Sequence, residues 1–84
     1  MSRATKLKAK ISALPNDFTW TELKKLLKSE GYVENQSGKT SGSRVRFVHD
    51  EHPPITLHKP HPKPNMKAYQ IKQIVDALKQ RGQL

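Results

Sequence analysis

The sequence contains no cysteine. That excludes disulfides, thiolate zinc sites and cysteine nucleophiles, and it suits a reducing compartment such as the cytoplasm. Aromatic residues make up only 6%, so few side chains are available to stack on bases. No apolar run approaches the roughly 18 residues that a membrane span needs. The basic N-terminus lacks the hydrophobic segment of a secretory signal. Acids are also short: 7 Asp and Glu stand against 16 Lys and Arg, for a formal net charge of +9. Such a surplus speaks to partners rather than to fold. It points to nucleic acid, an anionic membrane surface or an acidic protein.

What is present is patterned. The 84 residues are 33% hydrophobic, which is enough for one modest core, and a single domain over residues 1–84 is expected. Residues 3–13 read as a short amphipathic helix, with Ala4, Leu7, Ile11 and Leu14 at helical spacing and lysines between them. Pro15 ends it, because the residue before a proline is pushed out of the helical region. No aromatic residue interleaves with those lysines, so a packing helix is the better reading than a basic RNA-binding arm. Thr19 stands three residues before Glu22, the spacing of a capping box, and Phe18 and Leu23 can form a hydrophobic staple. These signals predict a helix over 20–30, with Leu23, Leu26 and Leu27 buried and Gly31 as its left-handed stop. Ile71, Ile74, Val75 and Leu78 predict a last helix that starts between Met66 and Tyr69 and runs to about Arg81. Many of the lysines lie on these helices, where a solvated surface role is ordinary.

Between the helices the period changes from 3.6 to 2. Tyr32 to Gln36 is a candidate first strand. Ser37 to Gly42 is a Gly- and Ser-rich loop that lacks the spacing and the following helix of a nucleotide-binding loop, and so reads as a hairpin loop. Ser43 to Val48 and Ile55 to Lys59 then alternate as strands, joined by a turn from Asp50 to Pro54. Val45, Phe47, Ile55 and Leu57 point one way. Arg44, Arg46, Val48, Thr56 and His58 point the other. Paired as a hairpin, these runs put two fixed cations and a titratable base on one surface, a place to hold and cut a phosphodiester. The order helix, helix, strand, strand, strand, helix implies an α+β fold. Its three-stranded antiparallel sheet would be covered by helices on one face and open on the other.

The order helix, three strands, helix is that of the double-stranded-RNA-binding domain. The residues go further. Gly31-Tyr32, Gly42-Ser43, Phe47, a histidine-bearing loop after strand three and the closing run MKAYQIKQIVDALKQRG resemble the HicA toxin family over roughly residues 18–82. Residues 1–15 are then a helical extension. The resemblance implies a cytoplasmic toxin of a type II toxin–antitoxin pair, an mRNA interferase that cuts transcripts without a metal or cofactor. Its implied partner is a HicB antitoxin, expected here to be acidic. No direct DNA binding is expected from this chain. One departure matters. The family usually shows Gly-Ser-His at the start of strand two, with that histidine catalytic, whereas here the triplet is Gly42, Ser43, Arg44. Arginine stays charged at neutral pH and is no base. Either another histidine has taken over the role, or the chain binds RNA without cutting it.

Metal-free RNA cleavage needs a base for the 2′-hydroxyl proton, an acid for the leaving oxygen and cations for the phosphorane. His58, on the arginine face, is the first candidate for the base. His61, three residues on in a proline-stiffened loop, is the candidate acid. Arg44, Arg46 and Lys59 are the expected phosphate-binding residues, with Ser43 and Lys39 joining them. His49 and His52 read as solvated turn residues. The His-x-x-His pairs 49/52 and 58/61 lack the cysteines usual in structural zinc sites, so no metal is expected. Trp20 and Tyr69 can in principle stack on bases, but core or boundary packing is the expected role of both.

Overall fold

Thr19 opens the second helix of the chain. In the computed structural model, which describes residues 3–35, 44–60 and 63–84, its hydroxyl accepts from the Glu22 N–H at 3.2 Å. The Glu22 carboxylate accepts from the Thr19 N–H at 3.0 Å. This is the capping box that the spacing predicts, and it opens helix α2 (Trp20–Ser29). Phe18 and Leu23 are both buried, as a staple requires.

Helix α1 (Arg3–Ser12) precedes α2. Strands β1 (Val33–Asn35), β2 (Arg44–Val48) and β3 (Ile55–His58) follow, and helix α3 (Ala68–Gln80) closes the chain. The sheet is an antiparallel meander in the order β1-β2-β3. The architecture is the expected α+β, double-stranded-RNA-binding-like one. Phe47, Ile55 and Leu57 of the inner face join Leu23, Leu26 and Leu27 of α2 and Ile71, Ile74, Val75 and Leu78 of α3 in one core.

Helix α1 packs on α2 and α3, with Ile11 fully buried. Ion pairs join it to the rest of the fold: Lys8 reaches Glu30 at 2.9 Å, and Lys10 reaches Glu22 at 2.9 Å and Asp17 at 3.9 Å. Two of the N-terminal lysines are therefore already paired with acids of the fold. Leu14 departs from the expected stripe: it lies beyond the helix end, at φ 53 and 55% exposed. The constraint from Pro15 removes it from the helix before the stripe reaches it.

Burial alone would raise the Glu22 carboxyl, but the Thr19 backbone bond and Lys10 outweigh it and hold Glu22 below its usual range. A carboxyl lowered in the folded state stabilises the fold above its unfolded titration, and that contribution is lost as pH falls through the folded value. Melting temperature is therefore expected to fall on acidification through and below the ordinary glutamate range. In Glu22→Gln this part of the pH slope disappears, which a series of thermal melts at stepped pH checks.

Gly31 adopts φ +95, as a left-handed helix stop requires, and a Cβ there would lie 2.7 Å from His49 Nε2. His49 is consequently not the solvated turn residue that the sequence suggests. Its Nε2 lies 3.0 Å from the Glu30 carbonyl, and its Nδ1 accepts from the Glu51 N–H at 2.9 Å. Its ring contacts Tyr32 and His52. The C-terminal segment closes the same cluster. Arg81 donates to the Tyr32 hydroxyl at 2.7 Å and to the Pro53 carbonyl at 3.2 Å, and Gln83 donates to the Glu30 carbonyl at 3.1 Å. Gly31→Ala is expected to cost at least about 1–2 kcal/mol from backbone conformation alone, with displacement of His49 in addition. Its thermal melt should fall by roughly 4–8 °C per kcal/mol.

Candidate functional site

Four apolar side chains decide which residues face solvent. Phe47, Ile55 and Leu57 are buried and Val45 is half-buried against the core. Alternation then sends the residues between them to the opposite face. Arg44 pairs directly with His58 across β2 and β3, and Arg46 pairs with Thr56. Directly opposed residues hold their Cβ atoms about 4.5–5.5 Å apart. The guanidinium of Arg44 and the imidazole of His58 thus leave the sheet side by side. Asn35 of β1 stands opposite Arg46 and extends the row. Arg44, Arg46, Thr56 and His58 are all exposed. Among the described residues, neither arginine forms an ion pair. A row of cations without acidic partners keeps its charge available for an external anion.

The end of β3 is pinned from below. Gln70, 4% exposed, donates from Nε2 to the His58 carbonyl at 3.0 Å. Its Oε1 accepts from the Lys67 N–H at 3.1 Å. One buried amide therefore ties the first turn of α3 to the backbone of His58. Farther along, the Trp20 N–H donates to the Pro64 carbonyl at 2.8 Å and the Met66 N–H to the Phe18 carbonyl at 2.7 Å. The return from β3 to α3 is in this way fastened to the start of α2. Lys59 follows His58 and is exposed, and Pro60 is buried.

Among the residues singled out from the sequence, Arg44, Arg46 and His58 share one face, with Lys59 next to it in the chain. Lys39, Ser43 and His61 lie outside the described residues. His49 and His52 sit together elsewhere, at the turn, and no cluster of three metal-ligating side chains forms among the described residues. Trp20 is buried against Phe47, with ring centroids 5.9 Å apart, as expected. Tyr69 is not packed: it is 63% exposed. It lines a cleft of about 190 Å³ together with His58, Lys59, Pro60, Lys67 and Gln70. Gln70 and Lys67 were not legible as site residues, although Gln70 does fall on the buried phase of α3, one residue before Ile71. A larger groove, about 500 Å³, opens between α2 and β1 and is lined by Lys24, Lys25 and Lys28. It shares no lining residue with the arginine–histidine row.

The sequence model of the HicA toxin of bacterial toxin–antitoxin pairs matches residues 20–83. The chain belongs to the HicA toxin family. No curated protein and no solved structure matches it. Membership makes it the toxin of a toxin–antitoxin pair and implies a cognate antitoxin. The match begins at the first residue of α2, so α1 lies outside the part shared with the HicA family. No helix among the described residues is long and apolar enough to cross a membrane.

Proposed function

We propose that this HicA-family chain is a metal-independent endoribonuclease that cleaves mRNA at the open face of its sheet. The observation that carries the reading is the cross-strand pair of Arg44 and His58. His58 takes the proton from a ribose 2′-hydroxyl. The 2′-oxygen attacks phosphorus, and the 5′-oxygen leaves as it is protonated by an acid, a role assigned to His61. Arg44 and Arg46, with Lys59, Lys39 and Ser43, hold the phosphate and stabilise its developing charge. Imidazole suits the role because it exchanges a proton near neutral pH. The natural inhibitor is a HicB-like antitoxin with an acidic surface, matched to a net charge of +9, and the site of action is the cytoplasm.

One observation favours a second reading, a non-catalytic RNA-binding module. Arg44 stands where HicA proteins usually carry a histidine, so the usual base is absent. Incubating the purified chain with a structured mRNA in EDTA separates the two. Cleavage supports the enzyme. Binding without cleavage, with a steep salt dependence, supports the module. In either case Arg44→Ala should flatten the slope of log K against log salt by about 0.7, the share of one phosphate contact on a single strand.

A further inference from the structure

Tyr69 is the second residue of α3 and is 63% exposed. Its neighbours along the helix, Gln70 and Ile71, turn inward. A large ring is thereby left on the surface at the mouth of the cleft that also holds His58. The other lining groups are Lys59 and Lys67, which are cations, the buried Pro60 and the amide of Gln70. No acid lines it. Among the described residues neither the Tyr69 hydroxyl nor the His58 imidazole makes a hydrogen bond. The Gln70 amide, by contrast, is satisfied by the Lys67 N–H and the His58 carbonyl. The floor is therefore fixed, while the aromatic face and both ammonium groups stay open. Flat aromatic surface in the same cleft as two cations suits an unpaired nucleobase and its phosphates, since every base offers a π-face and its backbone offers charge.

We propose that this cleft seats one unpaired base of the RNA, stacked on Tyr69 beside His58, with Lys59 and Lys67 on the flanking phosphates. The inference rests on RNA being the ligand of the sheet face, and it adds a positioning subsite that selects single-stranded over paired substrate. A duplex cannot offer a base to Tyr69 without opening. Its base is held by stacking rather than by edge readout, so preference among the four bases is weak.

The test uses the full chain and a short labelled single-stranded RNA made uncleavable by 2′-O-methyl groups, with an abasic residue placed at each position in turn. For the wild type, removal of the base at one position is expected to weaken binding by about 5- to 100-fold. Tyr69→Ala should show that same loss with the intact RNA and no further loss when that base is removed. Tyr69→Phe should restore wild-type affinity and wild-type sensitivity. Tyr69 is exposed, so both variants fold, and their thermal melts verify it. If Tyr69→Ala binds intact RNA as tightly as the wild type, or keeps its sensitivity to the same abasic position, the subsite does not exist. Cleavage of natural RNA decides the separate question. A chain that shows the Tyr69 signature but never cuts leaves the subsite standing and removes the nuclease reading. A chain that cuts with no Tyr69 signature does the reverse, and a chain that binds no RNA removes both.

Discussion

Replacing His58 by alanine is expected to slow RNA cleavage by about 10²- to 10⁴-fold, the contribution of one positioned general base. Affinity for RNA should change only a few-fold. The separation follows from the geometry. The His58 side chain is exposed and, among the described residues, makes no hydrogen bond, whereas its backbone carbonyl is the group that Gln70 holds. Truncating the imidazole removes a proton acceptor and leaves the strand in place, so the thermal melt should be unchanged within about 0.5 kcal/mol. Arg44→Ala has a different signature. It removes a charge that binds the phosphate in the ground state and binds it more strongly as charge develops in the transition state, so both affinity and rate should fall. Single-turnover cleavage and equilibrium binding, measured on the same RNA, distinguish the two. Equal rates for wild type and His58→Ala would place the base elsewhere.

Phe47→Ala is expected to destabilise the fold by about 3–5 kcal/mol, as aromatic-to-alanine changes in cores do. Phe47 is 2% exposed, contacts Trp20 and stands between Glu34 and Ile55 in the sheet. An 84-residue domain has about 4–13 kcal/mol of stability in all, at roughly 0.05–0.15 kcal/mol per residue. The substitution therefore removes a large share, and the melting temperature should drop by more than about 10 °C. Arg46→Ala, one residue away on the opposite face, is the matched control. It should change stability by no more than about 0.5 kcal/mol while it weakens RNA binding. The two neighbours thus separate the sheet's functions: its inner side chains set the register, and its outer ones use it.

That contrast explains why so much of this fold was legible in the sequence. Local rules carry it. The Thr19–Glu22 box, the Gly31 stop and the two-residue alternation of Arg44–Val48 each act within a few residues, and each is found where the pattern places it. The facing of Arg44 and His58 needs only alternation and a hairpin. Two features that escaped, the roles of His49 and Gln70, depend on distant partners. His49 resembles a turn residue until Glu30, 19 positions earlier, supplies its carbonyl. Gln70 resembles a polar helix residue until β3 brings the His58 carbonyl within reach, 12 positions away. Tyr69, near the start of a helix, reads from the sequence as a core or boundary residue. The helical phase of Ile71, Ile74, Val75 and Leu78 leaves it outside the buried stripe, and phase decides over residue type. Leu14 fits the period but stands before a proline, and backbone sterics override the pattern there.

The most direct measurement is the chemistry of the RNA ends produced in EDTA, read by mass spectrometry. Attack by a ribose 2′-oxygen, assisted by His58, predicts fragments with a 2′,3′-cyclic phosphate on one side and a 5′-hydroxyl on the other. A single 2′-deoxy residue at the cut position should abolish the break. Fragments with 5′-phosphate ends, or cleavage that survives the 2′-deoxy substitution, would contradict the account.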